Sequence, residues 1–252
     1  LPRCKITWRD AANQPQVFEP TALPAASQTA APAATSGKLF MHDPAFGQWL
    51  KDTASKSAEG QLAAVSKKLM ELNPGFEGTV GSSLSRGVIT GVPNVENGAV
   101  TELIFFTDHV ADISPLKVLS GLRSLVCTGS NFKGVLADLS PLEGMQLTKL
   151  HLSGNGKLSD LSPLKGQPLT DLDLWSTNVS DLTPLKDMRL TKLNLRGIRP
   201  LKDLQPLKGM PLTDLDCVDV RQLSNLSPLE GMKLTSLKIA KTDVSDLSRA
   251  WR

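Results

Sequence analysis

From residue 99 onward, apolar side chains recur at a spacing that neither one helix nor one long strand produces. Aligned on Leu103, Leu125, Leu150, Leu172, Leu193, Leu215 and Leu237, the pattern returns after 22, 25, 22, 21, 22 and 22 residues. Pro115, Pro141, Pro163, Pro184, Pro206 and Pro228 keep step with it. In one unit, LTDLDLWSTNVSDLTPLKD from Leu169, the alternation at Leu172 and Leu174 predicts a short strand with those side chains and Leu169 facing inward. Val179, Leu182 and Leu185 are then the inward positions of a turn and an outer arc. A unit cannot bury so many apolar side chains alone, so neighbouring units must stack. In the arc string DLSPLKG, Ser suits a cap, Pro the first helical position and Gly the end. Ser162, Pro163 and Gly166 show this, and Ser227, Pro228 and Gly231 repeat it. One turn between cap and Gly predicts a 3₁₀ turn rather than an α-helix. The longer PLKVLSG of the first unit predicts extra length there.

A period in the low twenties with an LxxLxL core is the signature of leucine-rich repeats. The predicted fold class is therefore α/β. It is a leucine-rich-repeat solenoid over residues 99–252, with about seven repeats, parallel strands on the concave face and short 3₁₀ turns on the convex face. The last unit reads DLSRAWR, with Arg249 in place of Pro. No polar cap follows, so its coil is expected to be frayed or truncated.

Residues 41–98 predict a small helical N-terminal cap with short strands. FGQWLKDTAS puts Phe46, Trp49 and Leu50 on one helical face, and AEGQLAAVSKKLMELNPGF puts Leu62, Val65, Leu69 and Leu72 on another. Asn73 and Pro74 end that helix. The stripe is read as core, packed on the exposed first edge of the repeats. GTVGSSLSRGVITG and AVTELIFF predict short strands joined by a Gly/Asn-rich connection. Residues 1–40, rich in Ala and Pro, predict a disordered leader and linker, because PTALPAASQTAAPAATSG has no charge and almost no large apolar residue.

Composition adds little to that frame. Hydrophobic residues make up 40% and aromatics 4%, with no Tyr, which suits a core of Leu and Val rather than of rings. The formal charge is +3 with acids and bases interspersed, so no basic face points to nucleic acid. No apolar run is long enough to insert into a membrane. Cys4, Cys127 and Cys217 make no disulfide framework. Cys127 and Cys217 take inward positions four strands apart, roughly 19 Å at strand spacing, and read as small core residues. A reducing, cytoplasmic setting is mildly favoured.

Several strings look catalytic in isolation. Ser114 with Lys117, and Ser162 with Lys165, spell the SxxK of acyl-transfer enzymes. The same positions recur in successive units as a capped turn, and that reading takes precedence. GNGK around Lys157 lacks the upstream Gly and the following hydroxyl of a phosphate loop. His42, His109 and His151 have no ligands at metal spacing. Asp112, Asp138, Asp160, Asp181, Asp203 and Asp246 recur at one height, with Asn225 in the remaining unit. Such a ladder can hold calcium; a turn-tightening Asx bond, which also accommodates Asn225, is the favoured reading. The chain is therefore expected to be no enzyme, with no catalytic, cofactor or metal residues.

The concave face is the more informative surface. One row across the strands runs Glu102, Ser124, Lys149, Asp171, Lys192, Asp214, Ser236, and its alternating middle predicts a salt-bridge ladder. The next runs Ile104, Val126, His151, Asp173, Asn194, Asp216, Lys238. A third runs Phe106, Thr128, Ser153, Trp175, Arg196, Val218, Ala240. Trp175 on an outward position beside Arg196, His151 and Asp173 has the composition of a binding hot spot; the alternative is a Trp lying flat with a cation–π contact to Arg196. The candidate partner-binding residues are Trp175, Arg196, His151, Asp173, Asn194 and Asp216.

The repeat LTxLxLxxTxVSDLSPLKGMP resembles the internalin-like class of bacterial leucine-rich repeats, especially in its DLSPL arc. WLKDTASKSAEGQLAAVSKKLMELNPGFEG, then VTELIFFTDHVADISPL, then the DLSPLKGMPLT units, resembles the C-terminal region of planctomycete serine/threonine protein kinases. That resemblance implies a regulatory or substrate-docking region. No HRD, DFG or Gly-rich nucleotide loop is present, so no kinase residue carries over. Thr177 and Thr242 stand where many leucine-rich repeats place Asn, which removes an amide ladder there. The expected function is a monomeric, non-catalytic module that binds a protein or peptide partner on its concave sheet.

Overall fold

A computed structural model describes residues 6–9, 15–18, 43–85 and 87–245. Seven strands form one parallel sheet in chain order: β7 (Glu102–Phe106), β8 (Ser124–Thr128), β9 (Lys149–His151), β10 (Asp171–Asp173), β11 (Lys192–Asn194), β12 (Asp214–Asp216) and β13 (Ser236–Lys238). Their register aligns Leu103, Leu125, Leu150, Leu172, Leu193, Leu215 and Leu237, the positions that define the repeat. Leu169, Leu172, Leu174, Val179, Leu182 and Leu185 are all buried in one continuous core, as the unit's pattern requires. Cys127 and Cys217 lie in that core as free thiols, and burial raises both pKa values, that of Cys217 to about 12. Cys4 and Asp246–Arg252 lie outside the described residues. Leu237 at the last described strand is only partly buried, since no further described strand stacks on it.

The convex arc carries 3₁₀ turns at Ser114–Val118, Ser140–Leu142, Ser162–Leu164, Thr183–Leu185, Gln205–Leu207 and Ser227–Leu229. The first is the longer one, as its sequence predicts. The expected Ser cap is corrected: none of these turns has a side-chain bond from the residue at its cap. The Asp or Asn two residues before each turn does the work instead. Asp112, Asp138, Asp160, Asp181 and Asp203 each accept the backbone N–H two residues on at 2.8 Å, and Asn225 does so at 2.9 Å. These are Asx turns, and they account for the ladder. Among the described residues no group of three or more His, Cys, Asp or Glu could hold a metal ion. The closing Gly144, Gly166, Gly209 and Gly231 take φ between 76° and 79°, where side chains are disfavoured. Asp187 occupies that place in one unit at φ 66°.

A second ladder runs along the entry to the strands. The hydroxyls of Thr148, Thr170, Thr191, Thr213 and Thr235 each donate to the carbonyl at the same position of the preceding unit, at 3.1–3.2 Å. That is the physical reason for the recurring LT pair. An amide serves the other end. Asn155, fully buried, donates to the carbonyls of Cys127 and Leu152 and accepts from the Thr107 hydroxyl at 2.6 Å. Thr177 and Thr242 in its place reach only their own unit, through Leu174 O and Ile239 O.

The cap consists of α1 (Pro44–Ala54) and α2 (Ala58–Leu72), both packed on the first convex turn. Asp43 and Ser57 cap them. Leu62, Val65 and Leu69 are buried and continuous with the repeat core, so the stripe covers the first edge as its spacing implies. Asn73 then does more than end α2. It is buried, donates from Nδ2 to Leu69 O and Asp112 O, and accepts from the N–H groups of Ala111 and Asp112 at 2.9 Å. Gly81 bridges Ile104 on the free edge of β7, after which β3 (Ser83–Ser85) and β4 (Val88–Thr90) form a hairpin. The Gly/Asn-rich connection is itself a hairpin, β5 (Val95–Glu96) and β6 (Ala99–Val100), turned by Asn97 and Gly98 at positive φ. Within the stretch read as a disordered leader, β1 (Ile6–Arg9) and β2 (Pro15–Phe18) pair antiparallel; its other residues lie outside the described ones.

Candidate functional site

The three concave rows run in the expected register. Asp173 stands between His151 and Asn194, and Asn194 stands beside Asp216. The third row continues past the strand ends through backbone bonds: Gly154 N–H donates to Trp175 O, Ser176 N–H to Arg196 O and Gly197 N–H to Val218 O, each at 2.8–2.9 Å.

The predicted Lys–Asp salt-bridge ladder is corrected. Lys149 and Lys192 form no ion pair among the described residues, because Asp171 turns diagonally to His151, whose Nε2 lies 3.2 Å from its Oδ1. That hydrogen bond holds the Asp171 carboxyl below its ordinary range, with the His151, Lys149 and Lys192 charges adding to it against burial. Asp173 is shifted the other way. Burial raises its pKa, opposed by the Trp175 N–H that it accepts.

Three of the six candidate residues spend their side chains on strand-end turns. Oδ1 of Asp173 accepts Trp175 N–H at 2.8 Å, that of Asn194 accepts Arg196 N–H at 3.0 Å, and that of Asp216 accepts Val218 N–H at 2.9 Å. Each turns the chain at a strand end and presents the next row. With His151 they also line a shallow concave groove of about 210 Å³, whose lining includes Asp171, Asp214, Lys192 and Lys238.

Trp175 and Arg196 lie in a separate, larger cleft of about 590 Å³ at the strand ends, with Gly156, Arg199, Asp219 and Lys241. The Arg196 guanidinium carbon is 5.8 Å from the Trp175 ring centroid, so the cation–π contact is present. It does not bury the ring, which remains 37% exposed. Sequence reasoning missed Arg199 and Lys241 in this cleft, and it missed Phe132. Phe132 is 56% exposed and stands edge-on to Trp175, with centroids 5.1 Å apart and planes at 79°. The signal was the 25-residue step. Leu136 fills the inward place that Leu158 fills in the next unit, so the extra residues fall in the loop after β8 and carry Phe132 outward.

The catalytic-looking strings have structural roles. Ser114 is fully buried beneath the capping helices, and Asn155 of GNGK spends its amide on the core. Among the described residues no helix is long and apolar enough to cross a membrane.

Solved structures with this architecture include internalin C2 of Listeria monocytogenes, at 24% identity and TM-score 0.53 over 89% of this chain and 84% of that one. An internalin (inlF) from the same organism aligns at 24% identity and TM-score 0.46, over 58% of this chain and 49% of that one. The fold is an internalin-like leucine-rich-repeat solenoid. The likeness is one of fold alone, and the chain spans about half the length of the inlF structure. No protein-family model matches the chain, and no curated protein does.

Proposed function

We propose that this chain is a non-catalytic protein-interaction module, monomeric and binding a protein or peptide partner at the strand ends and adjoining concave sheet. The observation that carries this reading is the pair of exposed rings, Phe132 and Trp175, set edge to face, with Arg196 over Trp175. Aromatic and Arg side chains in one cleft are the composition of binding hot spots. The repeat architecture favours binding too, since stacked units offer a continuous surface without a catalytic constellation.

The test is a partner affinity measured for the wild-type chain and for Trp175→Ala. The expected result is a loss of more than about tenfold with the melting curve nearly unchanged. Equal affinity removes Trp175 from the site. A narrower reading makes the chain the regulatory or substrate-docking region of a serine/threonine kinase. It rests on the resemblance that runs through ELNPGFEG, whose Asn73 is the joint between cap and repeats. Coding sequence upstream of Leu1 tests it: kinase motifs there support it, and their absence from that sequence ends it.

A further inference from the structure

The cleft beside Trp175 is opposite in charge to the groove it borders. Arg196, Arg199 and Lys241 line it against one carboxylate, Asp219. That carboxylate is already engaged, since Arg221 Nε donates to it at 2.8 Å. Arg196, Arg199 and Lys241 are all exposed, and none of them forms an ion pair among the described residues. The groove, by contrast, sets Asp171, Asp173, Asp214 and Asp216 against Lys192 and Lys238.

The apolar wall of the cleft is held in place at a conformational cost. Phe132 sits at φ 62° after Asn131 at φ 48°, a backbone region that bulky residues rarely occupy. The loop around it is pinned: the Asp108 carboxylate accepts both the N–H and the hydroxyl of Ser130. Behind it, Gly134 packs so tightly that an added Cβ would lie 2.3 Å from Asn155 Oδ1 and 2.7 Å from Thr107 Oγ1. Core packing does not call for Phe132, because Leu136 already fills the inward place. Strain of this kind persists only where the surroundings impose it, and here the result is a ring held against Trp175 in water.

We infer that this cleft docks an acidic peptide segment of the partner, laying an apolar side chain on Phe132 and Trp175 and its carboxylates against Arg196, Arg199 and Lys241. The inference rests on the interaction-module reading above and narrows it. Charge complementarity decides the class. A nucleic acid strand would also use rings and cations, but its phosphates would run on into the acidic groove.

Selection of a random displayed peptide library on the intact chain tests this. Winning peptides are expected to carry Asp or Glu beside an apolar residue. Their affinity should fall at least about tenfold in Arg199→Glu and in Lys241→Glu, with the melting temperature unchanged, and should weaken as NaCl is added. Winners without acidic residues overturn the inference, as do acidic winners indifferent to both charge reversals, or an oligodeoxythymidylate that binds more tightly than any winner. Where such winners still weaken on Trp175→Ala, the interaction module stands and only the acidic partner falls. If no peptide is selected, the acidic-peptide inference falls; if none weakens on Trp175→Ala, Trp175 leaves the site and the inference falls with it.

Discussion

At the residue scale, two carboxylates one residue from being neighbours behave oppositely. Asp171 is held ionised chiefly by its bond from His151, so its folded pKa lies below the unfolded one. It contributes stability that is present above about pH 4 and lost as pH falls through the lowered value. Burial raises Asp173, so its contribution is complete below about pH 4 and declines as pH rises through the raised value. Asp171→Asn should therefore lower the melting temperature at neutral pH. Asp173→Asn keeps the oxygen that accepts Trp175 N–H and should raise it, with the gain vanishing in acid. Melting curves across the acid range check both; shifts of the same sign for the two variants at neutral pH would contradict the assignment. The outward placement of both residues was legible from alternation. Their opposite titration was not, because it depends on a diagonal bond to His151 and on depth of burial.

At the element scale, the joint between cap and repeats rests on one side chain. Asn73 closes the end of α2 and satisfies two N–H groups and a carbonyl of the first unit. Asn73→Ala strands those groups, and the buried ones at Asp112 each cost about 1–3 kcal/mol. The variant is expected to lose several degrees of melting temperature and to expose Ala111 and Asp112 to amide hydrogen exchange before the later repeats. Uniform exchange, or unchanged stability, would contradict this role. The helix, its buried stripe and its stop at Asn73 and Pro74 followed from helical spacing and proline sterics. The bridge did not, because residues 38 and 39 positions apart meet only once the cap is docked. The string DLSPL offers both an Asp and a Ser to the turn; the Asx bond expected of the Asp is present, and the cap expected of the Ser is not.

At the scale of the whole molecule, repetition carries the architecture and its interruption carries the proposed site. Strand number, register and core were readable because every coil repeats one solution to burying Leu between neighbours. Trp175 and Arg196 could be singled out as departures from the consensus within a row. Phe132 could not, since the lengthened unit gives a place for extra residues but no direction for them. The split between an acidic groove and a basic, aromatic cleft emerges only when rows from several units are brought together. The most direct test of a partner surface at the strand ends is an NMR titration of the isotope-labelled chain with a selected peptide. Shifts are predicted for the Trp175 indole N–H and for Phe132, Arg196, Arg199 and Lys241, with the convex arc silent. Shifts confined to the convex turns, or to the groove with Trp175 unmoved, would contradict it.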